Sequence, residues 1–174
     1  MIKKIALLIV AVIVGILVVA ATKPDDFRVQ RTTTINAPAE KIAPLINDFH
    51  AWSSWSPFER LDPEMKRTYS GADRGKGAVY QWDGNSQAGA GRMEIIDSSP
   101  SKVGIQLDFN RPFESHNVAE FTLEPRGTST DVTWAMHGPN LFIGKVMSVF
   151  MSMDRMVGSD FETGLRNLKA LAEK

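Results

Sequence analysis

The chain has 174 residues, enough for one ordinary domain, and 20 Lys and Arg balance 20 Asp and Glu. Balanced charge provides no basic footprint for nucleic acid, and the absence of cysteine excludes a disulfide framework, a thiolate metal site and a cysteine nucleophile. Apolar residues make up 43% of the whole and are densest at the N-terminus; with Lys3 and Lys4 set aside, the remainder carries 18 basic and 20 acidic side chains.

Ile5 to Ala21 is an uncharged run of 17 residues between Lys3-Lys4 and Thr22-Lys23-Pro24-Asp25-Asp26. As a helix at about 1.5 Å per residue, with Met1 and Ile2 included, it roughly matches a hydrocarbon core of ~30 Å. Two readings fit residues 1–22, a retained transmembrane anchor and a cleaved signal segment. The run exceeds the roughly 7 to 15 residues of a signal core, which favours the anchor. Lysines before the segment and aspartates after it predict a single-pass topology with the C-terminal domain extracytoplasmic, periplasmic where the cell has two membranes. Residues 23–26 form the linker and 27–174 the domain.

Phe27 to Ile35 alternates as a strand in which Arg31 interrupts an inward set, so that Arg31 either points inward to orient a ligand or occupies an exposed or bulged position. Asn36-Ala37-Pro38 opens a helix carrying Ile42, Leu45, Ile46 and Phe49, which Pro44 shortens or kinks. Trp52, Trp55 and Phe58 follow. From Lys66 the pattern turns to short strands carrying Tyr80 and Trp82, then Met93 and Ile95, then Val103, Ile105, Leu107 and Phe109. Two longer strands, Glu114 to Glu124 and Thr130 to His137, form a hairpin with Ala119, Phe121 and Leu123 facing inward beside Val132, Trp134 and Met136. After Gly138-Pro139-Asn140 an apolar stripe recurs at three and four from Val146 to Leu171, predicting one long helix, with Gly158 or Gly164 as the places where it bends or splits.

A twisted antiparallel sheet with one apolar face must bury that face, and the terminal helix is the element long enough to cover it. The expected gap between sheet and helix is lined by Tyr80, Trp82, Met93, Leu107, Phe109, Trp134, Met136, Met147, Phe150 and Met151. Each of these also reads as plain core. Five methionines between Met136 and Met156 favour a cavity, because flexible methionine adapts to varied ligands and specifies a tight core poorly. Asn117 shares the inward parity of Ala119 and Phe121, so its amide either orients a ligand or bonds to backbone near the strand end.

His116 and His137 have the outward parity, and although Glu114 adds a carboxylate beside them, zinc normally needs three or four ligands in fixed geometry; His50 reads as a surface or helix-end residue, so no metal site is expected. No His-Glu-x-x-His or Gly-x-Ser-x-Gly motif occurs, and Gly75-Lys76-Gly77 lacks a third glycine where Tyr80 stands. Asp154 and Glu162 read as solvated or capping charges of the terminal helix. No cofactor and no catalytic residue is assigned.

The run from Thr34 to Pro57, with strand-Asn36-Ala37-Pro38, a short helix and the spaced Trp52 and Trp55, resembles the opening of the SRPBCC superfamily, the START, Bet v 1 and polyketide cyclase/dehydrase-like proteins. Thr130 to Met136 followed by the long helix is similar to its closing half, and the resemblance covers about residues 27 to 172. It implies an α+β helix-grip fold, a curved antiparallel sheet of six to seven strands wrapped around a long C-terminal helix, with an apolar pocket between them. Members bind lipids, sterols and polyketides, and a minority catalyse cyclisation or dehydration without a universal catalytic motif. The expected function is a membrane-anchored binding module for a small hydrophobic ligand (lipid, isoprenoid or polyketide-like). The alternatives are a cyclase or dehydrase-type enzyme, or a domain that docks a partner through Trp52, Trp55 and Phe58.

Overall fold

Twenty residues, Ile2–Ala21, form helix α1 in a computed structural model that describes residues 2–174. Among them α1 is the helix long and apolar enough to cross a membrane, a property that a signal sequence near the N-terminus shares. Strand β1 (Asp26–Ile35) follows, then α2 (Ala39–Asn47) and two 3-10 turns, Phe49–Ser54 and Pro57–Arg60. Strands β2 (Lys66–Gly71), β3 (Ala78–Asp83), β4 (Ala90–Ser99), β5 (Lys102–Arg111), β6 (Ser115–Arg126) and β7 (Ser129–Pro139) come next. The chain ends in α3 (Phe142–Met147) and α4 (Met153–Ala172).

The seven strands form one curved antiparallel sheet in the order β1-β7-β6-β5-β4-β3-β2. Strands β2 to β7 are a meander, while β1 crosses to pair with β7, as a helix-grip fold requires. Inward parity holds as expected on β6 and β7, where Phe121, Leu123, Val132 and Trp134 are buried. The concave face is covered by two groups of elements. Helix α4 packs along β1, while α2 and the 3-10 turns cover parts of the rest.

Trp134 sits where these groups meet. Its ring lies parallel to that of Phe161 on α4, centroids 4.2 Å apart, and stacks on Phe121 at 4.9 Å. Trp52, Trp55 and Phe58 approach it edge-on at 5.6 to 6.3 Å. The partner-docking reading of that aromatic segment therefore gives way to a core one. Trp52 and Trp55 are buried, and their indole N–H groups donate to the Ile46 and Leu45 carbonyls, each at 2.9 Å.

The terminal helix is two helices, and neither glycine divides it. The break comes at residues 148–152, where Ser152 adopts an extended backbone and its Oγ accepts from the Arg155 N–H at 3.3 Å, a new N-cap that restarts the chain as α4. Gly158 and Gly164 are buried inside α4 and serve close packing instead. A Cβ at Gly164 would lie 2.6 Å from Trp134 Cζ3, and one at Gly158 would lie 2.2 Å from an Arg31 guanidinium nitrogen.

Arg31 is neither exposed nor bulged. It pairs in regular register with Trp134 on the inward face of β1, and its side chain reaches α4. There it donates to Asp154 at 2.7 and 3.1 Å and to Glu162 at 2.6 Å. These two carboxylates, expected to be solvated, clamp the first half of α4 to β1. The hydrogen bond from Arg31 holds the Asp154 carboxyl below its ordinary value, and those to Asp154 and then Glu162 raise the guanidinium.

Two predictions follow from this packing. Alanine at Gly164 would gain about 1 kcal/mol of helix propensity on an open helix, yet here its methyl meets a ring held on both faces. Gly164→Ala is therefore expected to lower stability by about 1–3 kcal/mol in urea unfolding followed by tryptophan fluorescence, and a neutral or stabilised variant would contradict the close-packing role. Asp154, with a depressed folded value, contributes stability that is complete above its unfolded value and is lost as pH falls through the folded one. Asp154→Asn should thus melt below wild type at neutral pH, and the difference should vanish well below pH 3.8; an equal gap at both would show that the ion pair is not its cause.

Candidate functional site

The aromatic cluster around Trp134 fills the middle of the grip and leaves one end open. There, the N-terminal residues of β1, the β5–β6 connection, the end of β7, α3 and the first turns of α4 enclose a cleft of about 530 Å³. Its inner residues are Val29, Asn117, Met136 and Val157. Phe27, Phe109, Phe113, Ile143, Met147, Met151 and Met153 continue the apolar lining outward. Charged side chains, Asp26, Arg28, Glu114 and Asp154 among them, also border it, and Asp154 is engaged by Arg31. A second depression of about 420 Å³ lies beside α2 among Glu40, Asn47, Arg74, Pro100 and Pro125. None of the residues selected from the sequence faces it.

Inside the larger cleft the notable polar group is Asn117. It is 5% exposed and lies opposite Leu107 across β5 and β6. Its Nδ2 donates to Ser115 Oγ at 3.3 Å, while Oδ1 has no hydrogen-bond partner among the described residues. Gly138 makes room for this amide, since a Cβ there would lie 2.3 Å from Oδ1. A buried carbonyl oxygen without a donor is costly, on the order of 1–3 kcal/mol. Oδ1 lies sealed against Gly138, so a ligand hydroxyl or amide would recover that cost once the amide turns towards the cleft. The cleft can thus exclude water around an apolar body and fix one donor group.

Of the positions selected from the sequence, Phe109, Asn117, Met136, Met147 and Met151 come together along this cleft. Tyr80, Trp82, Met93, Leu107 and Trp134 lie on the same concave face but in or against the packed core. Tyr80 is committed there: its hydroxyl donates to Glu59 Oε1 at 2.6 Å, and Arg67 Nε holds Glu59 Oε2 at 2.7 Å. Burial, reinforced by Glu59, pushes the phenol well above its ordinary value. Trp82 donates its indole N–H to the Ala88 carbonyl at 3.0 Å and meets Phe109 edge-on. Phe150 lies in the break between α3 and α4, is 71% exposed and does not line the cleft.

Phe27, Val29, Met153 and Val157 line the cleft and were not selected. The first two share the inward parity of Arg31 and the last two belong to or adjoin the terminal stripe, so the periodic signal was present. Phe113 and Ile143 lie on a loop and a short helix, where no periodicity points inward.

The histidines stand apart from the cleft. His116 Nδ1 lies 2.8 Å from Asp108 Oδ1, which raises the imidazole, and His137 Nε2 lies 3.7 Å from Glu120. His50 stacks on Tyr69 with centroids 4.0 Å apart. Among the described residues, no three His, Asp or Glu side chains gather in a way that could hold a metal ion.

Comparison with known proteins agrees with this architecture. The solved structures similar to this chain include an aromatase/cyclase, Zhui, from Streptomyces sp. R1128, with TM-score 0.59 and 14% identity over 85% of this chain and 94% of that one. The hypothetical protein jhp0584 from Helicobacter pylori has TM-score 0.62 and 8% identity over 87% and 90%. Protein CV1439 from Chromobacterium violaceum has TM-score 0.55 and 17% identity over 87% and 99%. At these identities the likeness is one of fold. No curated protein matches the sequence significantly. The family model described as polyketide cyclase/dehydrase and lipid transport matches residues 26–173, from the first residue of β1 to just past the end of α4, and the chain belongs to that family.

Proposed function

We propose that this protein is a membrane-anchored module that holds a small hydrophobic molecule bearing one hydrogen-bond donor. The observation that carries the reading is the apolar cleft lined by the buried Asn117 amide, whose Oδ1 has no hydrogen-bond partner among the described residues. A volume of about 530 Å³ falls inside the ordinary range of small-molecule sites. Burying about 300 Å² of ligand apolar area from water is worth roughly 7 kcal/mol before ordering costs are subtracted. Phe109, Met136, Met147 and Met151 supply the apolar contact, and the methionines adapt the wall to the ligand's shape. Asn117 sets its orientation. The family's description is consistent with such a role, and α1 supplies the anchor.

The ligand is sought by extracting the full chain from cells in detergent, recording native mass spectra and identifying what solvent releases. A stoichiometric apolar molecule is expected in wild type. It should be missing from Met136→Trp, whose larger side chain fills the cleft while keeping its apolar character, with circular dichroism confirming the fold. In uptake assays a long-chain alcohol should bind better than the carboxylate of equal length, and Asn117→Leu should weaken the alcohol about fivefold, the value of one hydrogen bond of about 1 kcal/mol. A wild-type protein that carries nothing and takes up neither alcohol, fatty acid, sterol nor isoprenoid would overturn the reading.

A further inference from the structure

The end of the domain where the cleft opens also carries an unusual concentration of uncovered apolar side chains. Phe113, Leu141, Phe142, Ile143, Phe150 and Met151 are 47% to 71% exposed. They come from the β5–β6 connection, the start of α3 and the break before α4; Phe113, Leu141, Ile143 and Met151 line the cleft, and Phe142 and Phe150 are their chain neighbours. A soluble surface rarely holds together so large an apolar area without a partner to cover it.

The same end is tied to α1. The Asn140 N–H donates to the Asp25 carbonyl at 2.6 Å, Asn140 Nδ2 donates to the Pro24 carbonyl at 3.1 Å, and Lys145 of α3 pairs with Asp25. Helix α1 packs against α3, and Ala20 in its last turn is buried. Only residues 22–25 separate α1 from β1. Four residues span at most about 14 Å, so wherever the end of α1 lies, the cleft mouth lies close to it.

We propose that this apolar rim docks into the surface of the bilayer, so that the cleft opens directly into the acyl-chain region and exchanges its ligand with the membrane without passage through water. The proposal rests on the reading of α1 as a retained membrane span. Given that span, bilayer apposition covers Phe142 and Phe150 without any further partner. Charges of both signs border the cleft mouth, Lys23 and Arg28 beside Asp26 and Glu114, so insertion is driven by the apolar rim rather than by attraction to anionic lipid. The β6–β7 turn lies at the other end of β7, whose 11 residues extend roughly 33 Å, and should stand in water.

The absence of native cysteine makes single-site spin labelling clean. Phe142→Cys, Phe150→Cys, Thr128→Cys and Val10→Cys variants of the full chain would be labelled and reconstituted in phosphatidylcholine vesicles. Collision with oxygen, which concentrates in the bilayer, is compared with collision with a water-soluble nickel chelate. All four positions are exposed, so the substitutions leave the core intact. At positions 142 and 150 the ratio of oxygen to nickel accessibility should exceed that at 128 several-fold and approach that at 10. A lipid-like signal at 10 with a water-like signal at 142 and 150 overturns the docking proposal while leaving the anchor intact. A water-like signal at 10 overturns the anchor reading itself. Labels at 142 and 150 shielded from both reagents, with dipolar broadening between labels, would show that a second copy covers the rim and would also overturn bilayer docking.

Discussion

The stack of Trp134 on Phe161 is the contact on which the rest of the arrangement depends. A sheet that curves around a helix leaves a wedge of space, and a large flat ring in the middle of that wedge decides how close the helix comes. Gly164 removes the one atom that would prevent face-to-face contact. Phe121 supports the ring from the sheet, while Trp52, Trp55 and Phe58 enclose it from the 3-10 turns. Large buried aromatics make a rigid block because their area and edge-to-face preferences act together. The block closes the grip at its centre and confines the open space to the end where β1 begins and β7 finishes.

The ion pairs of Arg31, the cross-strand neighbour of Trp134, act on the same problem. Exposed salt bridges are worth little singly, and Asp154 and Glu162 are each more than half exposed. Their value here is positional. They fix the first turns of α4 over β1, ahead of the Phe161 stack, and so keep the cleft wall at Met153 and Val157 in place. Gly158 admits the guanidinium between helix and strand in the way Gly164 admits the indole.

Strand parity was legible in the sequence because a buried face imposes a period of two, and so the inward sets on β6 and β7 and the outward histidines follow from counting. Counting along strands does not say how far along the sheet a side chain lies, or what covers it. Tyr80 and Trp82 share the concave face with Met136, yet the 3-10 turns and Glu59 occupy their part of it. The division between α3 and α4 was hidden for a related reason. Apolar residues keep their helical spacing through Met147, Val149, Phe150 and Met151, whereas the signal that separates the two helices is the single N-cap at Ser152 that starts α4. Arg31 was legible as an inward position, but its partners lie more than a hundred residues away and no local pattern joins them.

On the proposed reading, the cleft's composition has a thermodynamic consequence that depends on where a bound molecule comes from. For a molecule arriving from water, burial against Phe109, Met136 and Met151 supplies most of the binding free energy, and almost any apolar body of suitable size gains from it. For a molecule drawn from an acyl-chain environment, that term nearly cancels, because one apolar surrounding replaces another. Discrimination then rests on shape and on the few polar groups. The unpartnered Asn117 oxygen gains importance under those conditions, since an acyl chain offers it no donor and a ligand hydroxyl does. If the cleft holds such a molecule, a wall of adaptable methionines with one buried amide favours selection of a head group over measurement of chain length.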